Sequence, residues 1–554
     1  MARGAGGTAA WETNPRSVGL PGARGHPHDR AAVRRSPRST SYRARRTART
    51  PMTPITRAEA SQFTETSLHA DVMAFVATLR DRNDPRLRVG SIGTSAEGRD
   101  IPLLVLSSEG FATPEAAHAS GRPVVLLQCG IHPGEVEGKE AGLALARELL
   151  GGPRGALLER LTVVLLPLFN PDGNDRIDPG NRALHLPKLF GQLGPDSGVG
   201  TRTNAARINL NRDYLRADSA EMRLWHPHVW QAWRPHLTLD NHATNGSVHR
   251  MAMTVDVPHV PESGQRAPIE CVREELVPWV IEAVRRSEGL DSGWYGNFVE
   301  DERCLDAERD VDPGSTVGEG WMTYPHHPRF GANYRGLCGR MDLLLEAYAY
   351  IPFADRVRVA GAWMRHALAW VAERPEQVRD LVIAAESPPE QVAVRYRLDT
   401  RKEAVEIRTR SPRTLEGSPT TVRLPHLARF MSTLTVQRPR AYLMPAESAA
   451  RLAIHGLRAE AASGRVEVST ARVEGYGELA GRHILEAAGT GDVRVSWHTG
   501  AREVPPGWVR VRTDGPHGAV AVYLCEPESD DGPIENGIVA APEVGGELPI
   551  WREG

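Results

Sequence analysis

The stretch "RPVVLLQCGIHPGEVEGKEAGLALARELL", residues 122–150, decides the fold class. Its first nine residues are a short apolar, β-branched run of the kind that forms a buried strand. From 135 onward the pattern is helical and closes at Gly151 and Gly152. Between the two, His132 and Glu135 stand three residues apart. Ligands of open α/β sheets gather at the carboxyl ends of the strands, and a turn there can aim both side chains at one centre. Imidazole nitrogen and carboxylate oxygen suit Zn²⁺, and a catalytic zinc site uses three protein ligands plus water.

The same strand and helix punctuation continues on either side. "DIPLLVLSS" (100–108), "LTVVLLPLFN" (161–170), "HLTLDNH" (236–242) and "MDLLLEAYAY" (341–350) read as strands. Helices are expected at 62–80, with Val72, Phe75, Val76 and Leu79 on one face, at 269–289, and over a long stretch from 353 to 386. Residues 174–208 are punctuated by Gly and Pro and read as a surface excursion. Strands alternating with helices predict an α/β domain over 60–386, with a mixed, largely parallel central sheet flanked by helices. Near Ser387-Pro388-Pro389 the texture changes. Runs such as "VAVRYRL", "RVEVSTARVEGY" and "WVRVRT" have period two, which predicts a smaller, β-rich accessory domain over 388–554.

Composition narrows the function classes. Apolar content of 40% and charged content of 25% are those of an ordinary globular chain. A net charge of −2 offers no whole-chain attraction to nucleic acid or to an anionic membrane. No apolar run is long enough to span a bilayer, and no secretory h-region is seen. The five cysteines show no paired spacing and read as reduced, mostly buried thiols, as in a cytoplasmic protein. Residues 1–51 are basic and lack apolar periodicity, so they are expected to be disordered. They read as a transit-like presequence, a basic arm, or a stretch that is not translated, with Met52 as the natural start.

HxxE recurs by chance in a chain with 20 histidines; order supplies the rest. "NPDG" (170–173) is followed by "TRTNAARINLNRDY" (201–214), then His242 at a strand end, then Glu346 inside an apolar strand. A carboxylate in such a run is costly unless paired or functional. This succession resembles the zinc metallocarboxypeptidases typified by carboxypeptidase A, over about residues 65–365, and is similar to bacterial members with a C-terminal β domain.

The resemblance implies one zinc ion per chain on His132, Glu135 and His242, with Glu346 as general base. It implies Arg202 as the group that stabilises the oxyanion, and Asn211 with Arg212 as the grip on a substrate's terminal carboxylate. The family's phenol falls on Tyr324 or Tyr334, with Tyr324 preferred. One position departs from the family: Asn209 stands where an Asp usually supports a ligand histidine, and Asp240 is an alternative source of charge. The activity implied is removal of a C-terminal residue from a peptide. The alternatives are an amidohydrolase of small N-acyl amino acids, like aspartoacylase or succinylglutamate desuccinylase, and a catalytically inactive binding module. The substrate is therefore a peptide or an acylated amino acid, with neither nucleic acid nor membrane as partner; oligomeric state is left open.

Overall fold

The computed structural model describes residues 53–299, 301, 319–477 and 493–554. The basic extension at 1–51 and Cys304 lie outside the described residues.

The chain enters the main sheet through β1 (Leu87–Thr94) and β2 (Asp100–Leu106), followed by β3 (Val124–Gln128), β4 (Thr162–Leu166) and β5 (Leu237–Thr244). Next come β6 (Met253–Asp256), β7 (Ser292–Trp294), β8 (Asn297–Phe298), β9 (Trp321–Met322) and β10 (Met341–Tyr348). Eight of these, all but β8 and β9, form one sheet in the order β1-β2-β4-β3-β5-β10-β6-β7. Its centre, β4-β3-β5-β10, is parallel, while β1, β2 and β6 join antiparallel. The expected mixed, largely parallel sheet is therefore the one observed.

Strand alternation explains the layering. On β3, Val125 and Leu127 face one hydrophobic core and Val124 and Leu126 the other. The first core is closed by helices over His69–Arg80, Glu137–Gly151, Val277–Glu288 and Phe353–Glu373. On β5 and β10 one face is mostly apolar: Leu237, Leu239, Leu343 and Leu345 join that helical core, while the other carries a single leucine, Leu344, among polar residues. Their alternate residues, Asp240, His242 and Glu346, are polar and line an open cavity at the carboxyl ends of the parallel strands.

Beyond residue 388 the chain is mostly strand. β11 (Gln391–Thr400) and β14 (His426–Gln437) pair with each other and, through β14, with β9 and β8. β12 (Val405–Ser411) and β13 (Ser418–Leu424) form a separate hairpin. Six more strands between Ala441 and Glu553 make a third sheet. The second core runs on without a break from Leu126 and Tyr334 to Val392, Tyr442 and Val520.

Three elements depart from the sequence expectations. The helix expected over 62–80 starts at His69, after a separate short helix over Arg57–Ala60. Gln62 and Phe63 take left-handed φ angles of 55° and 64°, and Thr66 and Ser67 turn their hydroxyls to the buried Glu140 carboxylate at 2.8 and 2.9 Å. The stretch 353–386 is two helices, broken at Arg374 because Pro375 opens the second. A helix over Gly518–Cys525, buried on every side, sits within the β-rich part. Its apolar run shows no one-sided period for pattern reading to detect.

Candidate metal centre

Local structure sets the geometry at the end of β3. Gly130 has φ +67°, and a Cβ there would meet Leu168 at 3.0 Å, so this turn needs glycine. It carries the chain into His132 and Glu135, just before the helix that starts at Glu137. That helix lies close on β5: a Cβ at Gly138 would come within 2.5 Å of the Asn241 Cβ. The close approach brings Glu135 to His242 on the neighbouring strand.

Three donor atoms converge there. His132 Nδ1 is 3.1 Å from His242 Nδ1, and Glu135 Oε2 is 3.3 and 3.0 Å from those two nitrogens. All three residues are buried. Ligand atoms of a tetrahedral zinc, on arms of about 2.0–2.2 Å, stand about 3.3–3.5 Å apart, so the group fits that ion with a slight outward adjustment. The outer nitrogens meet different surroundings. His132 Nε2 donates to Asn209 Oδ1 at 2.9 Å, and His242 Nε2 faces Asp240 Oδ1 at 3.4 Å. Asn209 keeps the His132 proton on Nε2 and leaves its Nδ1 lone pair facing inward, while the Asp240 charge lies beside His242 Nε2. Glu135 Oε1 accepts from Arg182 at 2.9 Å and from Arg202 at 3.1 Å, leaving Oε2 aimed at the centre.

The charges agree with a bound cation. Burial, and after it the Arg202 guanidinium, pushes His132 down to about 3, so the ring is neutral, as a ligand must be. Burial opposes a charge on His242 as well, but Asp240, Glu135 and Glu346 outweigh it and raise the ring. The carboxylates around this centre favour positive charge at it.

Beneath His242 lies a buried polar network. Burial would raise the Asp240 carboxyl, but Arg335 and His242 hold it well below the usual range. Arg335, fully buried, donates to Asp240 at 2.6 Å, to the Tyr214 hydroxyl at 3.0 Å, and to Asp342. Gln128 at the end of β3 donates to Tyr214 at 2.8 Å and to Asp240 at 3.0 Å, and accepts from Trp225 at 2.8 Å. Arg335 and Gln128 thus hold the carboxylate that faces His242, and Tyr214, Asp342 and Trp225 in turn hold those two.

The other expected site residues divide. Glu346 is paired in register with His242 across β10 and β5, so both project into the cavity from neighbouring positions. Arg202, Asn211, Arg212 and Tyr324 also line this cavity of about 180 Å³. The Arg212 guanidinium lies 3.7 Å from the Phe330 ring centre and donates to the Asn211 carbonyl at 2.9 Å, while Asn211 Oδ1 accepts from Gly331 N–H at 2.9 Å. Tyr324 is 5% exposed and its hydroxyl donates to the Val257 carbonyl at 3.0 Å. Tyr334, the alternative phenol, is placed elsewhere. It is fully buried and bonded to His455 Nδ1 at 2.9 Å, among Tyr214, Trp225 and Trp230. "NPDG" proves to be architectural: Asn170 caps its own turn at 3.0 Å, and Asp172 accepts from Ser95, Glu97 N–H and Arg99 at 2.6, 3.0 and 2.8 Å.

One further group among the described residues, His326, His327 and Asp530, has ligand-type atoms within 4.8 Å of one another. There His326 Nε2 is 2.5 Å from Asp530 Oδ2. That is a direct hydrogen bond, closer than two ligands of one zinc ion stand.

Residues 72–242 match the zinc carboxypeptidase family. That segment is a zinc carboxypeptidase domain. It holds all three convergent donors. Human carboxypeptidase D is 36% identical over 147 residues, covering 23% of this chain and 10% of that protein. Carboxypeptidase 2 of Trichophyton tonsurans is 36% identical over 81 residues, covering 14% of this chain and 15% of the relative. The aligned parts thus span about a tenth to a seventh of the length of these relatives. A metallo-carboxypeptidase structure from Burkholderia cenocepacia aligns with 54% of this chain and 67% of its own, at 18% identity and a TM-score of 0.35.

Several residues that shape the carboxypeptidase domain's centre were not singled out from sequence: Arg182, Gln128, Tyr214, Arg335 and Asp342. For Asp342 a signal existed, since it stands four residues before Glu346 on the same face of β10. Burial raises its carboxyl to about 6 against the pull of Arg335. Among the described residues, no helix is long and apolar enough to cross a membrane. Cys129, Cys271, Cys338 and Cys525 are buried and free.

Proposed function

We propose that this chain removes the C-terminal residue of a peptide by zinc-assisted hydrolysis, with one zinc ion held by His132, Glu135 and His242. The observation behind this reading is the pairing of His242 with Glu346 on adjacent parallel strands, both opening on the cavity that also holds Arg212. Zinc in such a site polarises a carbonyl and makes water acidic enough to lose a proton near neutral pH.

The protein's own groups do the rest. Glu346 accepts the proton from the attacking water and delivers it to the leaving amine. Arg202, already beside the ligands, faces the negative charge that develops on the scissile carbonyl oxygen. Arg212 presents its planar fork to the substrate's terminal carboxylate, with its other face covered by Phe330. Asn211 shapes the same end of the cavity. Tyr324 closes the wall beside them and offers a phenol once its bond to Val257 is released.

The test is a peptide-library digestion read by mass spectrometry, with and without a zinc chelator. Products should be shortened by one residue at the C-terminus, and only without chelator. Amidating the terminus removes the charge Arg212 grips and should cost about 1.5–3 kcal/mol of transition-state binding. Equal cleavage of amidated and free peptides rules out this mode. Hydrolysis of small N-acyl amino acids with intact peptides untouched would favour the amidohydrolase instead.

A further inference from the structure

One wall of the cavity has no regular secondary structure. Between β9 and the helix at Gly331–Leu337, residues 323–330 run as an irregular, buried segment, and it presents Tyr324 and Phe330 to the cavity. Such a segment is held only by the bonds it makes with its surroundings.

Two of the strongest come from 200 residues away. Asp531 is fully buried and accepts three bonds from Arg329: from its backbone N–H at 3.1 Å, from Nε at 2.9 Å and from Nη2 at 2.5 Å. Glu535 adds a carboxylate 3.5 Å from the same guanidinium. The neighbouring Asp530 takes His326 Nε2 at 2.5 Å and the Tyr523 hydroxyl at the same distance. Asp531 is itself fixed, because the Asn536 amide donates to its carbonyl at 2.7 Å. Arg329 directly precedes Phe330, whose ring lies against the Arg212 guanidinium at 3.7 Å. An unbroken line of contacts therefore runs from the C-terminal region to the cationic end of the cavity.

We infer that Asp531 is a positioning residue for substrate binding: through Arg329 it sets Phe330, and Phe330 sets the orientation of Arg212. The C-terminal β-rich region is thus part of the working site. The inference rests on the proposed role of Arg212 as carboxylate anchor.

The test uses the full-length, zinc-loaded chain with Asp531→Asn, Asp531→Glu and the wild type. Asparagine keeps the shape but removes the charge that holds Arg329. Hydrogen exchange at 323–331 should speed at least tenfold in Asp531→Asn while exchange in β10 stays as in the wild type. KM for a free-carboxylate peptide should rise about tenfold or more, kcat should change by less than about threefold, and zinc content should be unchanged. Asp531→Glu should recover part of the KM effect. Unchanged exchange at 323–331 overturns the inference. So does faster exchange with an unchanged KM, which would make the clamp structural only. If the wild type hydrolyses no peptide, the functional reading fails separately, and exchange at 323–331 alone decides the clamp. Should Asp531→Asn not fold, Arg329→Lys, which keeps the charge but loses the paired bonds to Asp531, is measured in the same way with the same expected and overturning results.

Discussion

Replacing Asp240 by Asn tests how the buried network serves the metal centre. Asp240 is 1% exposed, accepts from Arg335 at 2.6 Å and Gln128 at 3.0 Å, and faces His242 Nε2 at 3.4 Å. Removing one partner of a buried ion pair costs about 3–5 kcal/mol, because the other charge is left behind. Here Arg335 keeps Asp342 and the Tyr214 hydroxyl, so the loss in metal-free protein should fall near the lower end, about 3 kcal/mol. The amide also supports His242 less well than a carboxylate. Loss of such a partner typically weakens metal binding about 10- to 100-fold, or about 1.4–2.7 kcal/mol. Urea unfolding in chelator measures the first effect, and zinc competition against a chromophoric chelator measures the second. A metal-free loss below about 1 kcal/mol, with zinc affinity within twofold of the wild type, refutes the reasoning.

Glu346→Gln should keep full zinc content and a normal melting temperature while turnover falls by about 10² to 10⁴; unchanged turnover per zinc-loaded molecule removes Glu346 from the mechanism. Purified protein should hold about one zinc per chain, and His242→Ala should lose metal and activity together; stoichiometric zinc in that variant would show that another residue is the ligand. Acid should destabilise the fold well above pH 4. Burial first of all pushes His236, His249, His426 and His455 down to about 3, so their stability contribution is complete above pH 6.5 and is lost as pH falls from there toward 3. Asp342, raised to about 6 by burial, works in the opposite sense between about pH 4 and 6. The buried histidines outnumber this carboxyl, so the net effect is a loss of stability as pH falls through that window. Urea midpoints that stay constant from pH 7 to 5 would contradict this.

Much of the centre was legible locally. A strand followed by a glycine turn and a helix places His132 and Glu135 by short-range geometry, and period-two patterning puts His242 and Glu346 on the polar face of otherwise apolar strands. These features depend on residues close together in the chain, where steric rules and side-chain alternation act directly. Strand order is not local, and with it came what sequence reading left open. Only the pairing of β5 with β10 makes His242 and Glu346 neighbours, across 104 residues. Tyr324 and Tyr334 share one Gly- and Pro-rich stretch of sequence, yet one lines the cavity from an irregular segment and the other, on the helix over Gly331–Leu337, bonds His455 in the core. Arg335 and Gln128 look like ordinary polar residues until tertiary packing removes water from around them. Burial then makes each unpaired charge costly, so Asp240, Asp342 and Arg335 are tied together by energies that no single segment holds. The hold of Asp531 on the cavity wall has the same origin. A carboxylate and a guanidinium 202 residues apart acquire meaning only when the fold buries both at one place.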